Sequence, residues 1–135
     1  MSFSDVERAI QALSAGEMII VVDDADRENE GDFICAAQSI TSEQVDFMLK
    51  IGRGTMCVPM SAEEAKRLNL NPVIDDSSNT APHKTAFLTM VDHERAGTGV
   101  SAENRAITVR ELANPSATAS NFVRPGHMAP LMAMD

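Results

Sequence analysis

The sequence is short of positive charge: 11 lysine and arginine residues stand against 20 aspartate and glutamate residues, and the formal net charge is −9. A protein whose main partner is nucleic acid needs a basic surface to neutralise phosphates, and no stripe of Lys and Arg is present here. The acidic balance therefore argues against nucleic acid as a partner. If the ligand is a small anion, a divalent cation and a few local arginines have to hold it against the overall field.

Long apolar runs are missing, and cysteine is scarce. No run approaches the ~20 apolar residues that a membrane span requires, and the first residues lack the basic region and apolar stretch of a secretory signal. The two cysteines, Cys35 and Cys57, lie in apolar runs, which favours reduced core thiols over a disulfide. We therefore expect a cytoplasmic protein without a membrane partner.

Helical and strand-like patterns alternate along the chain. Capping sequences followed by apolar residues at helical spacing predict helices at 4–16, 41–52, 61–68 and 101–113. Apolar runs predict strands at 18–22, 33–37, 55–59 and 85–92, and the first of these is expected to be buried. The last stretch, 122–134, contains Arg-Pro-Gly-His at 124–127 and then an apolar strand-like tail. The connection from 22 to 33 is too short for a crossover helix, so the first two strands are expected to be antiparallel. The pattern predicts one α/β (α+β) domain, 1–135, with a mixed β-sheet flanked by helices.

The most unusual segment is an acidic loop between the first two predicted strands. It reads Asp-Asp-Ala-Asp-Arg-Glu-Asn-Glu-Gly-Asp at 23–32, with six carboxylates in ten residues. Like charges this close repel, so either solvent surrounds them or a cation and a polar substrate hold them together. An EF-hand is excluded, because the twelfth position counted from Asp26 is Ala37 rather than glutamate and the flanking segments are strands.

The loop closely resembles the signature Asp-Asp-x-Asp-Arg-Glu-Asn-Glu-Gly-Asp of the 3,4-dihydroxy-2-butanone 4-phosphate synthase family, the lyases of riboflavin biosynthesis. Further segments agree in the same order along nearly the whole chain: Gly-x-x-Cys ending at Cys57, His-Lys-Thr-Ala-Phe at 83–87, Gly-Thr-Gly-Val-Ser-Ala at 97–102 and Arg-Pro-Gly-His at 124–127. The resemblance implies conversion of D-ribulose 5-phosphate to 3,4-dihydroxy-2-butanone 4-phosphate and formate. It also implies Mg²⁺ (or Mn²⁺) as cofactor and a homodimer with its sites at the subunit interface.

The resemblance implies roles for individual residues. Glu28 is similar to the family's metal-ligating carboxylate and also contacts the substrate. Arg27 is similar to a substrate contact, although a local ion pair that relieves repulsion also explains it. Asp32 resembles a substrate-binding carboxylate that handles protons, and Glu30 is a further expected catalytic group. His127 resembles the family's general acid or base, and its alternative is a histidine packed beside a turn.

Other positions carry weaker assignments. Thr98 and Ser101 precede a predicted helix and are expected to bind the substrate, because hydroxyl and N–H groups at a helix N-terminus suit an anion; capping alone also explains Ser101. Asp23 either shapes the loop or binds solvent. Gly31 is expected to supply a backbone conformation that other residues resist. Cys57 matches a family cysteine near the site and is equally explained as an inert core thiol.

The resemblance breaks at the C-terminus. Family members continue with Arg-x-Gly-His-Thr-Glu-Ala, which carries the second metal-binding histidine, and later with a Cys-Glu stretch that carries a catalytic glutamate. We therefore expect a C-terminally truncated relative, and Met132, Asn104 and Ala25 also depart from the family pattern. Two functions stay open: the lyase, or a catalytically incomplete member that acts as a non-catalytic ligand-binding or dimerisation domain. The acidic loop and His127 favour the first, and the missing second ligand favours the other.

Overall fold

Helices and strands alternate through residues 5–134, the part of the chain that the computed structural model describes. The α-helices are Val6–Ser14 (α1), Ser42–Phe47 (α2), Ala62–Arg67 (α3) and Ala102–Leu112 (α4). The strands are Ile19–Val22 (β1), Gly31–Ile34 (β2), Cys57–Met60 (β3), Val91–His93 (β4) and Phe122–Met132 (β5). A π-helical turn at Met48–Gly52 extends α2, and short 3₁₀ turns lie at Ala37–Ser39, Asp76–Ser78 and Ala119–Asn121.

The long strand β5 is the centre of the main sheet. It pairs in parallel with β3, where Cys57 lies opposite Ala129, and antiparallel with β4, where Val91 lies opposite Met128. The α/β fold with a mixed sheet is therefore confirmed. The expected strand at 85–92 is shorter than predicted, because only isolated bridges at Phe87 and Leu88 precede β4.

Strands β1 and β2 form the predicted antiparallel hairpin, with Ile19 opposite Ile34. The hairpin is a separate two-stranded sheet rather than part of the main sheet. The prediction that its first strand is buried is wrong, since the side chain of Ile20 is 64% exposed and Val22 is exposed as well. A continuous apolar run indicates a strand whose two faces are both suited to burial. Within residues 5–134, no second layer of structure packs over β1 and buries it.

Side chains at the helix starts satisfy the first N–H groups, as the sequence indicates. Thr41 and Gln44 form the predicted capping box of α2, and Ser61 caps α3. Ser4, the predicted cap of the first helix, lies outside the described residues, and Asp5 is the observed cap, since its carboxylate accepts the Arg8 N–H at 2.8 Å. These local bonds fix where each helix begins.

The hydrophobic core lies where the main sheet meets α2 and α4, which pack against each other. Its largest fully buried apolar side chains are Leu68, Leu88, Met128, Val45 and Val91. Burying each of these stabilises the fold by about 1.5–3 kcal/mol relative to an exposed position. Helix α1 contributes no buried residue, and none of the helices within residues 5–134 has the length and apolar character that a membrane crossing needs.

The segment 124–127 joins the core to the candidate site. The Arg124 Nη2 donates to the Leu68 carbonyl at 2.7 Å, which ties β5 to the end of α3. At Gly126 a Cβ atom would lie 2.0 Å from the carbonyl carbon of Val91, so only glycine allows β5 to approach β4 this closely. The close approach brings the next residue, His127, beside Asp92 of β4.

The buried imidazole of His93 makes the stability of the fold depend on pH. Its side chain is buried, and burial is the largest cause that lowers the pKa of His93 below its usual 6.5, with Arg95 acting the same way and Glu111 and Glu94 opposing it. As the pH falls below 6.5, the unfolded chain binds the extra proton first, so the folded state becomes less stable relative to it.

We expect the free energy of unfolding to decline from about pH 7.5 to about pH 5.5, by no more than about 1.4 kcal/mol per pH unit. Urea unfolding at several pH values measures it. His93→Asn should remove most of this decline, and His83→Asn, at an exposed position, should keep it. The same slope in both variants would contradict the assignment to His93.

Candidate active site

The acidic loop is a tight connection organised by the carboxylate of Asp23. Its Oδ1 accepts the Glu30 N–H at 2.9 Å, and its Oδ2 accepts the Glu28 N–H at 3.1 Å and an Arg27 Nη1 bond at 2.7 Å. The bond from the Glu30 backbone is the largest of the causes that lower the pKa of Asp23. Asp23 was expected either to shape the loop or to bind solvent, and these bonds show that it shapes the loop.

The left-handed backbone position of the loop belongs to Asn29, whose φ is 52°. The expectation that Gly31 supplies an unusual conformation is wrong, because Gly31 already pairs with Val22 as the first residue of β2. A Cβ at Gly31 would meet the methyl groups of Ile20 and Val22 at an ordinary 3.6 Å. Asparagine tolerates the left-handed region better than most residues, so it fits this turn.

Arg27 lies between two carboxylates at the loop surface. Its Nη1 is 2.7 Å from Asp23 Oδ2 and 3.1 Å from Glu28 Oε2. The hydrogen bond to Asp23 is the main cause that raises the pKa of Arg27. The local ion pair is thus present in the free chain, and the substrate contact stays a prediction. An ion pair in contact with water is weak, so exchanging it for a ligand costs little.

Glu28 alone does not build a closed metal site. Within residues 5–134, no three His, Cys, Asp or Glu side chains converge in a way that could hold an ion. Mg²⁺ usually keeps several waters and binds through one or two carboxylates together with substrate oxygens. The carboxylate of Glu28 therefore fits as one ligand of a hydrated cation.

A cleft of about 670 Å³ opens between β2 and β3. Asp32 and Cys57 line it from opposite strands, together with Phe33, Cys35 and Leu131. Burial raises the pKa of the Cys57 thiol, and the nearby charge of Asp32 raises it further. Arg27, Glu28, Glu30 and His127 are not part of the cleft wall, so among the expected site residues the cleft brings only Asp32 and Cys57 together.

His127 makes a two-point contact with Asp92. The His127 backbone N–H donates to Asp92 Oδ1 at 2.8 Å, and the ring Nδ1 lies 2.7 Å from Asp92 Oδ2. The Asp92 side chain is only 11% exposed, whereas the His127 side chain is 45% exposed. The ring is therefore held on one edge and open to solvent on the other, an arrangement that suits a general acid or base.

Asp92 and Gly99 are site residues that the sequence reasoning missed. At Gly99, whose φ is 76°, a Cβ would lie 2.1 Å from Asp92 Oδ2, so the Gly-Thr-Gly turn closes directly over this carboxylate. The sequence offered one indication of Asp92: it is a carboxylate at the end of the apolar run 86–92, and a buried charge needs a partner. Nothing in the local pattern shows that the partner is 35 residues away.

The hydroxyl groups expected to bind substrate lie around the same turn. Ser101 Oγ accepts the Asn104 N–H at 3.1 Å and caps α4, which is the structural alternative for this residue. Thr98 lies exposed in the turn between Gly97 and Gly99. Their roles toward a substrate stay predictions.

Known proteins resemble this chain over nearly all of its length. The family model described as 3,4-dihydroxy-2-butanone 4-phosphate synthase matches residues 7–135. The riboflavin biosynthesis protein RibBA of Bacillus cytotoxicus is 51% identical over 133 residues, which are 98% of this chain and 33% of that protein. The RibBA protein of Bacillus subtilis is 48% identical over 131 residues, 97% of this chain and 32% of that protein. The chain thus spans about a third of the length of the curated relatives that it matches.

Solved structures are similar over nearly all of the chain. A crystal structure of 3,4-dihydroxy-2-butanone 4-phosphate synthase in complex with two magnesium ions has a TM-score of 0.93 and 42% identity, covering 98% of this chain and 61% of that one. The two-domain synthase RibBX from A. baumannii has a TM-score of 0.91 and 39% identity, covering 97% of this chain and 38% of that one.

A labelling experiment tests whether Asp32 lies near Cys57 across the cleft. In a Cys35→Ser variant, Cys57 is the remaining thiol, and we expect slow reaction with iodoacetamide at about pH 8 because its pKa is raised. Adding Asp32→Asn should speed the reaction by roughly twofold, since it removes the negative charge beside the thiol. Glu30→Gln is the matched control and should not change the rate. Equal rates with and without the Asp32→Asn substitution would contradict the placement of these two residues across the cleft.

Proposed function

The chain belongs to the 3,4-dihydroxy-2-butanone 4-phosphate synthase family, and we propose that it carries the acidic-loop and histidine part of a lyase site. The reaction is the conversion of D-ribulose 5-phosphate to 3,4-dihydroxy-2-butanone 4-phosphate and formate. The observation that carries the proposal is the folded acidic loop, in which Asp23 holds Arg27 and Glu28 side by side in a chain of net charge −9. Such a loop supplies both a local positive group and carboxylates to a charged sugar phosphate.

The site residues divide the chemistry among them. Arg27 exchanges its carboxylate partners for the anionic substrate. His127 moves a proton at its open ring edge, and Asp32 and Glu30 are the carboxylates available for further proton transfers on the sugar skeleton. Thr98 and Ser101 add hydroxyl groups for the substrate beside the start of α4. Several proton transfers need more than one acid or base, and this set provides them.

Glu28 would hold the cation through one carboxylate. A bound cation would supply Lewis-acid stabilisation of negative charge, and we propose Mg²⁺ with Mn²⁺ as the alternative ion. The similar synthase structure with two magnesium ions supports a divalent cation. Because the described residues do not form a three-ligand cluster, a non-catalytic ligand-binding or dimerisation domain is the second candidate for this chain taken alone.

We also propose a cytoplasmic homodimer whose interface lies on the hairpin. Asp32 lies opposite Val21 on the hairpin, and Ile34 follows two residues along on the same face. Val21 and Ile34 are 44% and 38% exposed, so the candidate carboxylate is framed by uncovered apolar side chains. A second copy on this face would bury them and exclude water around Asp32. Two thiols without a disulfide among the described residues accord with a reducing compartment.

Formate release tests the lyase directly. The 135-residue chain alone should release little or no formate from D-ribulose 5-phosphate with Mg²⁺, since no three potential metal ligands converge among the described residues. A chimera in which this chain replaces the 133 matched residues of the Bacillus cytotoxicus relative should release formate. Glu28→Gln or His127→Gln in that chimera should lower the rate by about 100-fold or more.

Glu63→Gln, on the exposed start of α3, is the matched control and should leave the rate unchanged. A folded chimera that releases no formate would reject the lyase proposal and favour the second candidate. Full turnover in the Glu28→Gln chimera would reject the role of Glu28.

Sedimentation tests the proposed interface. We expect the chain to sediment at about twice its monomer mass of 14.5 kDa. Val21→Lys should yield monomers, because a buried charge without a partner opposes association. Val73→Lys, at a valine in the loop before β4 that is more exposed than Val21 (65% against 44%), should keep the dimer. A wild-type mass of one chain, or a Val21→Lys variant that still dimerises, would refute this interface.

A further inference from the structure

Arg53 has a backbone conformation that arginine rarely adopts. Its φ is 59° and its ψ is −156°, a region of backbone space that is essentially restricted to glycine. Glycine stands on both sides of it, at Gly52 and Gly54, yet this position carries a long cationic side chain. Non-glycine residues in such conformations persist only where the surrounding structure holds them, and they concentrate at functional sites.

We propose that Arg53 is a substrate-binding residue of the cleft between β2 and β3, where its guanidinium contacts the phosphate group of the sugar phosphate. The proposal rests on the proposed function, which supplies the sugar phosphate. It adds a cation to a cleft in which the expected site residues are Asp32 and Cys57.

The π-helical turn before Arg53 holds the strained residue in place. The Arg53 backbone N–H donates to the Met48 carbonyl at 3.0 Å and closes this turn. At Gly52 a Cβ would lie 2.9 Å from Cδ2 of Phe33, so the end of the turn packs directly on β2, at the residue next to Asp32. Turns of this kind are often found at functional sites. The backbone of Arg53 is therefore fixed against the strand that carries Asp32.

Arg53 is also the one lysine or arginine among the described residues that line the cleft, and Asp32 is the one carboxylate. The two side chains do not form an ion pair, and within residues 5–134 the exposed guanidinium of Arg53 has no hydrogen-bond partner. An incoming anion therefore does not have to displace a bound partner from Arg53. Other cationic side chains do have carboxylate partners: Arg27, Lys50, Arg67 and Arg95.

A phosphate group suits this guanidinium better than the hydroxyl groups of a sugar do. The planar fork of N–H donors matches two phosphate oxygens at once, and each bond is strengthened by charge. A net charge of −9 repels an anion from most of the surface, so a cation in the cleft wall favours binding there. A phosphate has several oxygens, so Arg53 adds to the contact proposed for Arg27 rather than replacing it. The sugar hydroxyls can then reach Asp32 in the same cleft.

Heteronuclear NMR of the arginine side chains tests the proposal on the full 135-residue chain. We expect D-ribulose 5-phosphate to shift the Arg53 Nε–H signal, and D-ribulose, which lacks the phosphate, to leave it unchanged. Inorganic phosphate should shift the same signal with a higher Kd, because it has no sugar hydroxyls for Asp32. In Arg53→Gln the Kd for D-ribulose 5-phosphate should rise about tenfold. Lys66→Gln, at an exposed cation on α3 outside the cleft, is the matched control and should leave that Kd unchanged.

Arg53→Gly separates binding from backbone geometry. Glycine adopts the observed conformation without strain, so the midpoint of urea unfolding should rise. Loss of the guanidinium should nevertheless weaken D-ribulose 5-phosphate binding as much as Arg53→Gln does. A residue that only ends the π-helical turn would give a more stable variant with unchanged binding, and that result overturns the proposal.

The wild-type spectrum decides the question even where the variants do not fold. An Arg53 signal that D-ribulose 5-phosphate does not shift overturns the proposal, and so does an equal shift with D-ribulose, since that sugar has no phosphate.

Formate release separates this proposal from the lyase. In the chimera with the Bacillus cytotoxicus relative, Arg53→Gln should raise KM about tenfold and change kcat less, because the phosphate group is not itself transformed. An active chimera in which Arg53→Gln leaves KM unchanged keeps the lyase and rejects the role of Arg53. An inactive chimera together with a phosphate-dependent Arg53 signal rejects the lyase and keeps the phosphate contact.

Discussion

The candidate site depends on one carboxylate, Asp23, which turns a stretch of repelling charges into a defined bend. Three donors, two backbone N–H groups and the Arg27 guanidinium, converge on its two oxygens. Without these bonds, six carboxylates in ten residues would be expected to spread apart in water. With them, Arg27 and Glu28 lie next to each other, and the chain enters β2 in the register that places Asp32 opposite Val21. A loop that is already shaped loses less entropy when it binds a ligand.

The second constraint is the strand β5, which serves the core and the site together. Its first part pairs with β4 and its last residues pair with β3. Gly126 and His127 meet β4 at Asp92. Gly99 and Gly126 look like turn signals in the sequence. In the structure they lack the Cβ atoms that would collide with Asp92 and its backbone, so the Asp92 carboxylate can reach His127. Fold stability and the orientation of the proposed acid or base therefore rest on the same contacts.

Features decided within a few residues were predictable from the sequence. The capping box at Thr41, the antiparallel hairpin and the acidic loop follow from neighbouring side chains and from a short connection. Features decided by distant parts of the molecule were not. The exposure of Ile20 depends on what covers the hairpin, and the partner of His127 is 35 residues away in sequence. The sequence led us to expect the unusual backbone conformation at Gly31, whereas the left-handed residue is Asn29. Glycine and asparagine both tolerate that conformation, so the local sequence does not decide between them.

The central claim is that this bend holds a divalent cation beside a sugar phosphate, and paramagnetic NMR tests it without requiring turnover. Mn²⁺ added with D-ribulose 5-phosphate broadens the signals of nuclei close to the ion. We expect the backbone amides of 27–32 to broaden first, and Glu28→Gln to remove that effect. Broadening spread over other acidic surfaces, such as Asp75 and Asp76, or a loop signal that Glu28→Gln leaves unchanged, would contradict the account.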